Sequence, residues 1–191
     1  MAGRQAKLLT PAQLRAALKR VRAGRYPARD HTMLLLSHKA GLRAMEISGL
    51  TWAMALTSSG TLAEHIALEN SICKRSSGRS IPIHPDLRSA LLRLHRQDGG
   101  EGHVIKSERG QRLRASSVVH WFRELYAELE LHGCSSHSGR RGFITAISRK
   151  LAQTHGSLRD VQLLAGHRDL ATTQKYIEGD SVAQRKLVSL L

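Results

Sequence analysis

The stretch Ala40-Gly41-Leu42-Arg43-Ala44-Met45-Glu46-Ile47-Ser48-Gly49-Leu50 decides the fold, because the periodicity of the chain differs on its two sides. Gly41 is a helix terminator and Ala44 to Gly49 reads as a short helical turn, so Arg43 falls in the joint between them. Upstream the spacing is helical. Thr10-Pro11-Ala12-Gln13 supplies a capping hydroxyl, a proline at the first helical position and a glutamine three residues on, and Leu14, Leu18 and Val21 extend the pattern to a helix at about 11–23. Gly24 to Pro27 breaks that helix. Asp30 then caps a second one, with Met33, Leu34 and Leu36 inside and Gly41 at its end.

Downstream of Leu50 the pattern becomes alternating: Trp52, Met54 and Leu56, then Leu62, Ile66 and Leu68, then Ile72, then Ile81 and Ile83. With turns at Ser58-Ser59-Gly60 and Ser76-Ser77-Gly78 this predicts a small antiparallel sheet of three strands, the last an edge because it contains Pro82. Helix returns at about 86–97, a glycine-rich loop follows at Asp98 to Gly102, and a long helix spans about 116–131 with Val119, Phe122, Tyr126 and Leu129 on one stripe. The last third reads as a helix at 137–151, a helix opened by Ser157-Leu158-Arg159-Asp160, a break at Gly166, and a short helix carrying Tyr176. No repeat and no linker divides the chain, which reads as one mainly α domain interrupted by one small sheet.

Composition narrows the partners. Lys plus Arg number 30 against 15 Asp plus Glu, a net charge of +15 with a pI near 11.0, which favours a polyanion. Nucleic acid comes first and an anionic membrane second, the membrane reading weakened because no apolar run approaches the roughly 20 residues of a spanning helix. Met1 to Lys7 has no apolar signal core, so a cytoplasmic location is expected. Cys73 and Cys134 lie far apart and read as reduced and structural, and the 11 histidines are scattered without a metal-ligand pair, so no metal is expected.

The remaining residue types fit phosphodiester chemistry. Without a metal, charge on the non-bridging oxygens must be met by fixed cations, and a guanidinium binds two phosphate oxygens at once. Arg43 and Arg140 could clamp one phosphate from two sides, and His137, three residues before Arg140, shares its face if that segment is helical. Lys74 at the predicted hairpin turn could protonate a leaving 5′ oxygen, His167 could donate to the phosphate, and Tyr176 could attack. Singly, each has a plainer reading: a solvated helix-end charge, a hairpin phosphate contact with Arg75, a helix cap, a turn histidine, a packing tyrosine. Joint order and spacing carry the assignment.

That order resembles the tyrosine recombinases of the phage integrase family. Ala40–Leu50 is similar to the family's first arginine box, with Glu46 at its acidic position, and Lys74 precedes Arg79-Ser80-Ile81-Pro82-Ile83 where the family places its hairpin lysine. His137-Ser138-Gly139-Arg140 resembles the H-x-x-R box; Leu163-Leu164-Ala165-Gly166-His167 and Thr172-Thr173-Gln174-Lys175-Tyr176 resemble the L-G-H and T-T-x-x-Y segments. The resemblance covers about residues 8–180. It implies the DNA breaking-rejoining fold, double-stranded DNA as the nucleic acid bound, and strand exchange through a covalent 3′-phosphotyrosine, with neither metal nor cofactor. Arg43 and Arg140 would bind the scissile phosphate, Lys74 act as general acid, His137 as acid/base partner, His167 as phosphate donor and Tyr176 as nucleophile, with Glu46 supporting the first box.

Two departures stand out. Gly139 and Arg141 occupy positions where the family commonly has an aliphatic residue and often a histidine, so Arg141 joins Arg75 and Arg79 as a DNA-contact expectation. About ten residues precede Pro11, so the reading is a single catalytic domain over 1–191, with a 1–9 arm and no separate core-binding domain, like the fimbrial-switch invertases. Affinity would then depend on the catalytic face, on a homo-oligomer of two to four copies on DNA, or on an accessory protein. Ala183, Leu187, Leu190 and Leu191 give the tail at 177–191 an apolar stripe, to be packed on its own domain or on a neighbouring protomer. The competing functions are topoisomerase-like relaxation and a non-catalytic DNA-binding regulator.

Overall fold

Local signals fix the first helices. In the computed structural model, which describes residues 5–74, 77–176, 185, 188 and 189, Thr10 caps α1 (Pro11–Arg22) in a reciprocal capping box with Gln13. α2 (Pro27–Lys39) begins at Pro27 rather than after Asp30, because a proline at the first helical position has no N–H to leave unpaired. Asp30 therefore lies inside the first turn, where it binds Arg29 at 2.8 Å. Met33, Leu34, Leu35 and Leu36 are all buried, so α2 is enclosed around its circumference at this level and forms the core on which α1 packs. α3 (Ala44–Gly49) follows the Gly41 break as expected.

The sheet has two strands where the alternation predicted three. β1 (His65–Leu68) pairs antiparallel with β2 (Arg79–Pro82) in the register Ile66 with Ile81 and Leu68 with Arg79. Trp52–Met54 instead forms a 3₁₀ turn that buries Trp52 and Met54, with the indole N–H donating to Asp98 at 3.1 Å. So short an alternation does not separate a strand from one tight turn. The hydroxyls of Thr57, Ser59 and Thr61 close the next loop on themselves, leaving only an isolated bridge between Leu56 and Leu62.

α4 (Pro85–Asp98) packs on α2, and α5 (Ala115–Glu128) packs on α3. The buried stripe of α5 is Val118, Phe122, Leu125 and Tyr126; Val119, expected inside, is 46% exposed. α6 (Ser138–Arg149) follows, then the short α7 (Leu151–Thr154). α8 (Leu158–Ala165) opens on the Ser157–Asp160 capping box and closes on Gly166 in the left-handed conformation. α9 (Leu170–Gln174) ends before Tyr176, which occupies the following turn and not the helix expected to carry it. The chain forms two compact units, Met1–Phe143 and Ile144–Leu191. No described helix is long and apolar enough to cross a membrane. The tail expectation at 177–191 falls almost wholly outside the described residues.

Candidate active site

Two arginines distant in sequence are fastened to one turn in the first unit. Leaving α2, the chain reverses through Gly41 at φ +64°, and the Leu42 N–H reaches back to the Leu36 carbonyl at 3.1 Å. A Cβ at Gly41 would lie 2.5 Å from the Phe143 ring, so both the backbone conformation and the neighbour demand glycine. Arg140, in the first turn of α6 and 5% exposed, donates from Nη1 to the Gly41 carbonyl at 2.7 Å. Arg43, two residues further along, is the N-cap of α3. The turn that ends α2 thus carries one arginine and holds the other.

Glu46 organises Arg43. Its side chain is fully buried and accepts from the Arg43 backbone N–H at 2.9 Å and from Arg43 Nη1 at 2.8 Å. Both Nη atoms of Arg79 complete the set at 3.0 and 2.9 Å. Burial pushes the Glu46 carboxyl up, but the hydrogen bonds and charge of Arg79, followed by those of Arg43, outweigh it and hold the group at about 2. It is an anion at any working pH.

His137 sits at the surface just before α6. Its pKa is lowered by desolvation and then by the positive charges of Arg140 and Arg43, which places its imidazole in the field of both arginines. A neutral imidazole there can take a proton. Gly139 accounts for one departure from the family box: a Cβ on it would lie 2.2 Å from Ser37 Oγ and 2.8 Å from the His38 ring, so α6 approaches α2 more closely than an aliphatic side chain permits.

Lys74 is exposed, following a 3₁₀ turn at Asn70–Ile72; Ser77 Oγ donates to its carbonyl at 2.9 Å and the Gly78 N–H to Asn70 Oδ1 at 2.9 Å. Its ammonium makes no ion pair among the described residues. Of the expected DNA contacts, Arg75 lies outside the described residues. Arg79 has a side chain 5% exposed and bound to Glu46, and Arg141 donates to the Ala6 carbonyl at 2.7 Å. Arg141 thereby helps tie down the arm, as does the Lys7 N–H on the Gly133 carbonyl at 2.9 Å.

The second unit holds the other two expected residues together. Gly166 turns the chain out of α8, and the rings of His167 and Tyr176 stack with centroids 5.6 Å apart and planes inclined at 24°. Thr173, fully buried in α9, supports both: its hydroxyl meets His167 Nδ1 at 3.0 Å and its carbonyl accepts the Tyr176 N–H at 3.0 Å. Buried Gln162 holds the loop, donating from Nε2 to the carbonyls of His167 and Arg168 at 3.0 and 3.2 Å while accepting from Arg159. Sequence reading missed Gln162; an amide beside Val161 on the inner face of an amphipathic helix was the available signal. Among the described residues no group of three or more His, Cys, Asp or Glu side chains could hold a metal ion.

Comparison with known proteins gives the family and the fold. The chain is 28% identical over 154 residues to the tyrosine recombinase XerC of Xanthomonas campestris, covering 80% of this chain and 45% of that protein. It is 30% identical over 162 residues to XerD of Pseudomonas aeruginosa, covering 78% and 49% respectively. It therefore spans about half the length of the curated relatives it matches. Among solved structures, the XerA recombinase aligns over 98% of this chain and 65% of that one, at 16% identity and a TM-score of 0.74. The XerH recombinase bound to its difH substrate aligns over 99% and 55%, at 17% identity and 0.73, so the fold is shared. A family model described as the phage integrase family matches residues 7–181, and with the two arginine boxes joined at Gly41 and the histidine stacked on the tyrosine, the chain belongs to that family.

Proposed function

We propose that this chain is the catalytic part of a site-specific DNA recombinase that cuts and rejoins double-stranded DNA through a phosphotyrosine. The observation that carries the reading is the joining of Arg140 to the turn bearing Arg43, with the His137 imidazole in the field of both. Such a group of cations suits the extra negative charge of a pentavalent phosphate. The names of XerC and XerD, and the difH complex of XerH, supply the class of substrate.

In the proposed reaction the Tyr176 Oη attacks the scissile phosphorus and passes its proton to neutral His137. A bond forms between phosphorus and the phenol oxygen, and the bond from phosphorus to the 5′ oxygen breaks. Lys74 gives that oxygen its proton, and Arg43, Arg140 and His167 bind the non-bridging oxygens. Rejoining runs the same steps backwards with a 5′ hydroxyl from the partner duplex. One phosphodiester is exchanged for another, so no cofactor enters the balance. Assembly of two to four copies on DNA, help from an accessory DNA-bending protein, and a single catalytic domain over 1–191 belong to this proposal.

Nicked duplexes taken from the DNA flanking the coding sequence test it. Attack just 5′ of the nick, on the nicked strand itself, should release a short strand bearing the 5′ hydroxyl and trap a covalent adduct, absent in Tyr176→Phe. Failure to trap an adduct on any of these duplexes overturns the reading, and relaxation of supercoiled plasmid without exchange between two sites favours topoisomerase-like action instead.

A further inference from the structure

The Glu46 carboxylate accepts four hydrogen bonds, which fills all the acceptor positions such a group has. Oε1 takes Arg43 Nη1 and Arg79 Nη1, while Oε2 takes the Arg43 backbone N–H and Arg79 Nη2. The division is uneven. Arg79 spends two donors side-on across both oxygens, whereas the Arg43 guanidinium spends one, and its Nε and Nη2 meet no acceptor among the described residues.

Burial follows the same division, since the Arg79 side chain is 5% exposed and that of Arg43 is 22% exposed. Two guanidinium groups and one carboxylate leave one net positive charge. It resides on the better-exposed member, Arg43. Without Arg79, a buried Glu46 would draw Arg43 into a two-pronged pair of its own, the usual geometry of an isolated arginine and carboxylate. That pair would cancel the charge the phosphate needs and turn the remaining donors inward.

We infer that Arg79 is a positioning residue for the reaction: by saturating Glu46 it leaves Arg43 held by one nitrogen, with a charged edge for the scissile phosphate. The assignment rests on the recombinase reading given above, and it replaces the role of DNA contact expected for Arg79 from sequence. β2 is the natural carrier of such a group. Leu68 pairs with Arg79 in the sheet, and Arg79 Nη1 lies 4.0 Å from the buried Cys73 sulfur, so the guanidinium is fixed at the base of the hairpin that bears Lys74. Lysine could not replace it, because one ammonium does not span both carboxylate oxygens.

Three measurements on the whole chain test this. The first is ¹⁵N NMR of the arginine guanidinium groups, which needs no activity. In the wild type Arg43 and Arg79 should both show resolved, slowly rotating Nη groups, and in Arg79→Lys the Arg43 signals should change in shift or in rotation rate. A freely rotating Arg43 beside a resolved Arg79 in the wild type overturns the inference even if the variant fails to fold. So does an Arg43 signal unaffected by Arg79→Lys.

The second is single-turnover cleavage of nicked duplex at saturating protein. Arg79→Lys should slow it on the order of 10- to 100-fold while the salt dependence of DNA binding keeps its slope. An unchanged cleavage rate in Arg79→Lys, with the slope reduced by about one in the charge-removing Arg79→Gln, identifies a direct phosphate contact instead and overturns the positioning role. The third repeats Arg79→Lys in a Glu46→Gln background, where it should add less than about threefold, because residues acting through one another are not additive. Full multiplication of the two losses overturns the inference. If the wild type forms no adduct, the recombinase reading fails by itself, and the spectra still decide what Arg79 does to Arg43.

Discussion

Glu46 shows how one buried charge ties stability to chemistry. Its carboxyl titrates at about 2 in the fold against 4.5 ordinarily, so the unfolded chain binds the proton first as pH falls. The stabilisation is complete above pH 4.5 and is lost on the way down through about 2. Denaturant titrations over that window should show a steep fall in stability for the wild type and a flatter one for Glu46→Gln. At neutral pH that variant should be less stable by about 3–5 kcal/mol, the usual consequence of leaving buried guanidinium charge uncompensated. Tyr176→Phe behaves oppositely: the phenol oxygen has no hydrogen-bond partner among the described residues, so the melting temperature should hold while covalent-adduct formation drops on the order of 10³-fold or more. Arg43, Lys74, His137, Arg140, His167 and Tyr176 are proposed for the site from residue type and order. The bond from Arg140 to the Gly41 carbonyl was not legible there, since it joins positions 99 residues apart and nothing local to either announces it.

At the scale of elements, glycines and one half-buried polar pair govern how the helices meet. Gly139→Ala should destabilise the fold and slow cleavage together, because its Cβ would lie 2.2 Å from Ser37 Oγ and must push away the helix that carries Arg140. Gly41→Ala adds a left-handed residue, about 1–2 kcal/mol, to an overlap with Phe143, and thermal melts should place it below a surface glycine such as Gly60→Ala. α2 and α5 are bridged by His38 Nε2 and the Tyr126 hydroxyl at 3.2 Å. Burial, then the Lys39 charge, lowers His38 to about 4, so the unfolded state takes up this proton first. Stability should decline as pH falls from about 6.5 to 4, a decline that His38→Gln would reduce in calorimetry. Two helix starts were readable because caps are local: Thr10 with Gln13 and Ser157 with Asp160 formed as their spacing predicts, whereas α2 starts at Pro27 and not after Asp30. The third strand failed because alternation over Trp52, Met54 and Leu56 is equally met by a 3₁₀ turn whose indole finds Asp98.

For the whole molecule the governing quantity is charge. A chain of net charge +15 binding a polyanion releases counterions at every phosphate contact, so DNA affinity should fall on the order of 10³-fold or more between 50 and 200 mM salt. Anisotropy titrations at several salt concentrations would measure the slope. Sequence by itself determined the basic character, the order of the helices, the family boxes and the residue types suited to transesterification, because composition, capping and periodicity are properties of neighbouring residues. Tertiary structure alone decided that Arg140 is held by the turn before Arg43, that Arg79 faces a buried carboxylate rather than solvent, that Thr173 and Gln162 fix the loop of His167, and that α6 touches α2 through Gly139. Those contacts depend on which donors are brought within 3 Å of which acceptors by packing. That is set by burial of the α2 core, and no window of the sequence contains it.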